Sequence, residues 1–240
     1  MKYFVLLFCL GLLMTSCLSD SNDNAYTTES FSVNDFPNIK ANIVFVSDEN
    51  SESQKINQVI IDSTLASFYL DKPVNNIQEA LDSFVANYKS FKDDFPDSSG
   101  VWELIVETEV VFESETIISY SINTYTYTGG AHGNDKIILL NFDASTGTIL
   151  NQENLFLDSN KLKSVAESFF IKSQKESSDT FKMEDYFFGQ EFQLPENMSY
   201  SDDGFLMLYN VYEIASYAQG YTEFVIPYDE LEGILRISPY

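Results

Sequence analysis

Apolar positions along the chain follow first a helical and then a strand rhythm. From Ser51 to Tyr69, Ile56, Val59, Ile60, Leu65 and Phe68 recur at helical spacing, and Lys72-Pro73 closes the segment. A clearer stripe follows: Ile77, Leu81, Phe84, Val85, Tyr88 and Phe91 share one helical face. Asn75 or Asn76 stands ready to cap that helix, and Phe95-Pro96-Asp97 with Gly100 ends it. The period then switches to two. Trp102, Leu104, Val106, Val110 and Phe112 share one strand face, and Glu103, Glu107 and Glu109 share the other. This pattern predicts a half-buried antiparallel strand with a wet, acidic side. A turn over Glu113–Glu115 leads to a second strand, Thr116–Thr128, rich in Tyr, Thr and Ser. A third strand covers Lys136–Phe142, and a short one over Ala41–Val46 precedes the first helix.

Turn chemistry divides the remainder. Asp143-Ala144-Ser145-Thr146-Gly147 reads as a hairpin-type turn. Asp158 or Ser159 caps a helix carrying Leu162, Val165, Ala166, Phe169 and Phe170, and Lys172–Asp179 reads as polar and mobile. Asp203-Gly204 is a hairpin signal before a buried strand over Phe205–Tyr209. Tyr221–Tyr228 is the last strand, and Asp229 caps a final short helix. Helices and strands in blocks predict an α+β fold, with antiparallel sheets, helices packed on one face and two small subdomains. The expected divisions are residues 35–127 and 128–240.

The N-terminus changes the picture of where such a body resides. Met1-Lys2, the apolar run Tyr3–Met14 and then Thr15-Ser16-Cys17 have the layout of a secretory leader. The run is too short for the ~20 helical residues that cross a bilayer. Its ending resembles a bacterial lipobox, which implies acylation (palmitate) at Cys17, a lipid anchor in the membrane and an envelope location, outer membrane or cell surface. Residues 1–17 are the expected signal peptide. Residues 18–34, rich in Ser, Asn and Asp, are the expected flexible tether. Asp20–Asn24 glances at a calcium loop, but Ala25 and Phe31 occupy the positions that need Gly and Glu. Of the two cysteines, Cys9 lies in the leader and Cys17 would carry lipid. That leaves the body without a disulfide or thiolate metal site. No cofactor or metal is expected.

Charge narrows the partners. With 37 acidic against 13 basic residues the net charge is −24. This argues against nucleic acid and favours cationic partners, while also serving solubility. Glu107 and Glu109 share a strand face, as many solvated acids do, and give little sign of a glycosidase pair.

Two segments stand out chemically. Thr128-Gly129-Gly130-Ala131-His132-Gly133-Asn134 lets the backbone turn sharply, exposes N–H groups and carries the chain's only histidine. Its plain alternative is a connecting loop with His132 bonded to backbone. Tyr209–Gly220 carries Tyr212, Glu213 and Tyr217 between two strands. Amphipathic rings of this kind suit a binding surface, or pack on the sheet. The candidate ligand-binding set is Tyr127, Gly129, Gly130, His132, Gly133, Tyr212, Glu213 and Tyr217, with no catalytic residue assigned.

Tyr127–Asn134, Leu140–Asp143 with Thr146-Gly147, and Tyr212–Gly220 before Val225–Tyr228 together resemble domain-of-unknown-function family 3298. The strands over Val101–Tyr127 resemble its usual N-terminal partner, family 4163. The resemblance spans about Phe36 to Leu235. It implies a secreted or membrane-anchored envelope protein, as in lysozyme-sensing anti-sigma factors and some peptidoglycan deacetylases. It carries no catalytic residue over. The expectation is a non-catalytic binding or sensing lipoprotein, taking lysozyme, another cationic protein or peptidoglycan. The alternative is a cell-wall hydrolase or glycan-binding module built on the Gly129–Gly133 loop.

Overall fold

Six strands form the main sheet in sequential order: β1 (Tyr26–Val33), β2 (Phe36–Val46), β3 (Glu103–Glu113), β4 (Ile117–Tyr127), β5 (Asn134–Asp143) and β6 (Thr148–Ile149). The computed structural model describes residues 25–239 except 69 and 71. The leader and Cys17 lie outside the described residues. All neighbouring strands run antiparallel except β2 and β3, which are parallel. Parallel neighbours need a crossover, and the helical pair α1 (Ser51–Ser67) and α2 (Ile77–Asp94) supplies it. The expected antiparallel sheet therefore carries one parallel pair.

One face of the sheet packs on this helical pair. Ile39, Ala41 and Ile43 of β2, Leu104 and Val106 of β3, Tyr120 and Ile122 of β4, and Phe142 of β5 form one core with Ile56, Ile60, Leu81 and Phe84. Asn50 and Asn76 cap the two helices, each side chain accepting a backbone N–H three residues on.

A second core joins the opposite face at its other end. There β7 (Asn197–Ser201), β8 (Gly204–Tyr209) and β9 (Thr222–Ile226) form an antiparallel three-stranded sheet. They enclose Phe170 of α4 (Ser159–Ser177), together with Phe192 and Leu155 of the one-turn helix α3 (Gln152–Leu155). Asn141 of β5 ties the sheets together: its Oδ1 accepts from Ser119 Oγ (2.8 Å) and Tyr200 N (3.3 Å), and its Nδ2 donates to Met198 O (2.8 Å).

The main sheet runs through the expected division at 127/128, because β4 and β5 pair along ten residues. The cores, not that boundary, mark the two halves. The expected tether also differs. From Tyr26 onward it is β1, paired with β2 along its length, and the Tyr26 ring meets the Tyr120 ring edge-on at 6.3 Å. Strand pairing to Lys40–Val46 outweighs the polar composition of Thr27–Ser30. Phe112 leaves the face it was expected to share with Leu104 and Val106. A register shift between Val110 and Phe112 sends it to the second core. Helix α4 runs through Ser177, past the expected mobile start at Lys172, because Gln174 is buried and accepts from Tyr186 Oη at 2.8 Å. At the C-terminus Tyr228–Leu231 is a single 3-10 turn in which Asp229 lies inside and is no cap.

The Asp143–Gly147 turn forms as expected. Asp143 Oδ1 accepts from Ser145 N, Thr146 N and Ser145 Oγ, and these bonds hold its carboxyl below the usual range. Gly147 has φ +66, and its Cα lies against the backbone of Glu52 in the first turn of α1. Gly147→Ala adds strain from positive φ, of about 1–2 kcal/mol, and drives a methyl into that backbone. We expect a lowered denaturant midpoint, read by urea titration, from this change alone.

Candidate functional site

A cleft of about 770 Å³ opens where α2 ends. One wall is aromatic. Phe95 leaves helical geometry (φ −131, ψ 68) just before Pro96, and its ring lies 5.1 Å from that of Phe91. Trp102, entering β3, sits 5.3 Å from Phe91, 5.5 Å from Phe84 and 5.7 Å from Tyr88. Its indole N–H is buried with no hydrogen-bond partner among the described residues. Phe95 is 59% exposed, an unusual position for a ring at a helix end. The rest of the lining is largely polar: Asn87, Ser90 and Asp94 from the same helix α2, Thr126 and Thr128 from β4 and beyond, and Asn134 opening β5.

The glycine-rich loop lies over this cleft. Gly129 and Gly130 have φ of +95 and +110, and Tyr127 Oη donates to Gly130 O at 3.3 Å. Gly133 answers to sterics, since a Cβ there would enter the Tyr125 ring. His132 is exposed. Its Nδ1 lies 2.8 Å from Gly133 O, and because a carbonyl only accepts, the proton sits on Nδ1. Its ring stacks on Tyr217, with centroids 3.6 Å apart and planes at 19°. Tyr217 Oη donates to Gly133 O at 3.4 Å, so the contact is doubled.

The second loop is fastened from below. Asn210 acts as a strand partner for β5: its Oδ1 accepts from Ile137 N and its Nδ2 donates to Ile137 O, both at 2.8 Å. Glu213 clips the loop, accepting from Asn210 N (2.7 Å) and Glu196 N (2.9 Å). Tyr212 is thereby held at φ +69 with its ring 53% exposed, 5.6 Å from the Tyr217 ring. Burial pushes the Glu213 carboxyl up, against the lowering effect of its two N–H donors. A raised folded value means that this group's stabilising contribution is full at low pH and is lost as pH rises through it. Wild type should therefore lose stability relative to Glu213→Gln as pH climbs from the ordinary value of 4.5 through the raised one. Urea midpoints of both proteins across that window check the sign.

The candidate residues thus fall into three groups. Gly129, His132, Gly133 and Tyr212 line the cleft, and Tyr217 backs His132. Tyr127 and Gly130 hold the loop's shape, and Glu213 serves backbone N–H groups. The hydrogen bond from the His132 ring goes to a carbonyl, not to a carboxylate that would orient it as a base. Pattern reading missed Trp102, Phe91, Phe95 and Asp94 as cleft residues. Helical and strand spacing marks Phe91 and Trp102 as core, Phe95 reads only as part of the helix stop at Pro96, and Asp94 carries no signal of its own. Among the described residues no group of three or more His, Cys, Asp or Glu side chains could hold a metal, and no helix is long and apolar enough to cross a membrane.

A family model described as deacetylase PdaC matches residues 23–135. No curated protein matches the chain. A crystal structure of a DUF3298 family member from Bacteroides fragilis NCTC 9343 superposes with a TM-score of 0.71 at 23% identity, covering 91% of this chain and 97% of that one. A DUF3298 family protein from Pseudomonas aeruginosa PAO1 gives 0.59 at 17% identity, over 82% and 84%. The α+β architecture described above is therefore the fold that this chain shares with these two DUF3298 family structures.

Proposed function

We propose that this chain is the binding body of a lipid-anchored envelope protein, that the cleft and its two loops are the ligand site, and that a cationic protein such as lysozyme is the partner. The observation that carries this reading is the meeting of two loops, some 80 residues apart in sequence, over one cleft with exposed rings on a strongly acidic body. Long-range attraction would gather a basic partner, and Tyr212, Tyr217 and Phe95 would supply short-range contacts. Acylation at Cys17 would place the body at the membrane, and residues 35–127 would correspond to the family 4163-like partner.

The test is titration of residues 25–240 with lysozyme at low and at high ionic strength. Binding should be measurable at low salt and weaken by about tenfold or more when salt is raised toward 0.5 M. No association at low salt removes lysozyme as the partner. A second reading, a glycan such as peptidoglycan, draws on the presence of aromatic rings together with Asn87, Ser90, Thr126 and Asn134 in the lining of one cleft. Saturable binding of N-acetylglucosamine oligomers, insensitive to salt, would favour it.

A further inference from the structure

We infer that the cleft at the end of α2 receives an arginine side chain of the basic partner, its guanidinium stacked on the aromatic wall and paired with Asp94. This rests on the binding reading above and assigns the chemistry of its site.

Charge at this helix end runs against the usual preference. The C-terminus of a helix carries the negative pole of its dipole and favours cations. Here Asp93 and Asp94 close an 18-residue helix and Asp97 follows three residues on. The one lysine of that last turn is already engaged: Lys92 Nζ donates to Ser98 O (2.6 Å), Ser98 Oγ (3.2 Å) and Pro96 O (3.4 Å). Neither ion pair found among the described residues, Lys161–Asp158 and Lys182–Glu184, involves these acids. With Lys92 as the one nearby cation of the last turn, Asp93, Asp94 and Asp97 leave an excess of negative charge at this helix end.

The aromatic wall fits the same ligand. Phe91, Phe95 and Trp102 form one continuous bank of rings, and Asp94 lies at its edge within the cleft lining. A cation over an aromatic face is held by the ring quadrupole, and a planar guanidinium also stacks and grips a carboxylate through two N–H groups. An ammonium can do the first and last only as a point charge. A neutral sugar would use the rings but bring no counter-charge to the acids. The body's net charge of −24 draws such a cation in from a distance.

Trp102 is the sole tryptophan, so intrinsic fluorescence reports this cleft directly. Tri-arginine amide should change Trp102 emission saturably at low salt. Tri-lysine amide of equal charge should bind several-fold more weakly. Asp94→Asn and Phe95→Ala, both at exposed positions, should each weaken tri-arginine by about fivefold or more, with circular dichroism unchanged. No saturable response to tri-arginine, or equal affinity in wild type and both variants, overturns the inference. Lysozyme binding that both variants leave intact would also overturn it while sparing the binding function. Tri-arginine binding without lysozyme binding would keep the arginine site and remove lysozyme.

Discussion

Phe170→Ala should lower the free energy of unfolding by about 3–5 kcal/mol, near the upper end for a single core truncation. Phe170 is fully buried in α4, and its ring meets six others: Phe181, Tyr186, Phe187, Phe192, Tyr209 and Phe224, all with centroids 5.3–6.2 Å away. Most of these contacts are edge-to-face, the arrangement that ring quadrupoles favour. Removing the hub leaves a cavity bounded by side chains from α4, β8, β9 and the segment between α4 and β7. They cannot all move inward, because Tyr186 and Tyr209 are anchored through their hydroxyls to Gln174 Oε1 and to Gln193 O. For a chain of this size the melting temperature should fall by roughly 6–20 °C, measured by calorimetry. A change under 2 °C would mean that the second core is far looser than its ring contacts indicate.

Asn141→Ala should cost about 3 kcal/mol or more, because it strands several buried polar groups at once. Its amide serves Ser119 Oγ, Tyr200 N and Met198 O, where β5 meets the small sheet. Asn141 itself is 3% exposed and Ser119 and Tyr200 are fully buried, so water cannot readily replace the lost partners. Asn141→Asp adds a sharper signature. It keeps the acceptors but sets a carboxylate oxygen against Met198 O, so it should be weak at neutral pH and recover partly on acidification. Equal stability of Asn141→Asp at pH 7 and pH 4, relative to wild type, would argue against this placement of the amide.

Local rules carried much of the fold. The Ile77–Phe91 stripe, the Asn76 cap, the Asp143–Gly147 turn and the Asp203-Gly204 hairpin all act within a few residues, so the chain states them openly. What was hidden depends on partners distant in sequence. Tyr26–Val33 is polar enough to pass for a tether until β2 is beside it. The parallel pairing of β2 with β3 spans two helices and leaves no mark in either strand. The shift at Val110 exchanges one core for the other without altering the apolar pattern. The site divides the same way. Gly129–Gly133 and Tyr212–Tyr217 each stood out by composition, but the stack of His132 on Tyr217 joins residues 85 apart. Glu213 looked like a ligand group and is bound to backbone N–H groups, while Phe91 and Trp102 looked like plain core and face a cleft.

Hydrogen exchange on residues 25–240, with and without a saturating amount of lysozyme at low salt, tests the central claim that the cleft and its two loops form the ligand site. Slowed exchange should concentrate in 91–102, 128–134 and 210–220, and the surface of α4 should exchange as before. Protection confined to α4 or to the Tyr228–Pro239 end, with those three segments unchanged in the complex, would contradict it.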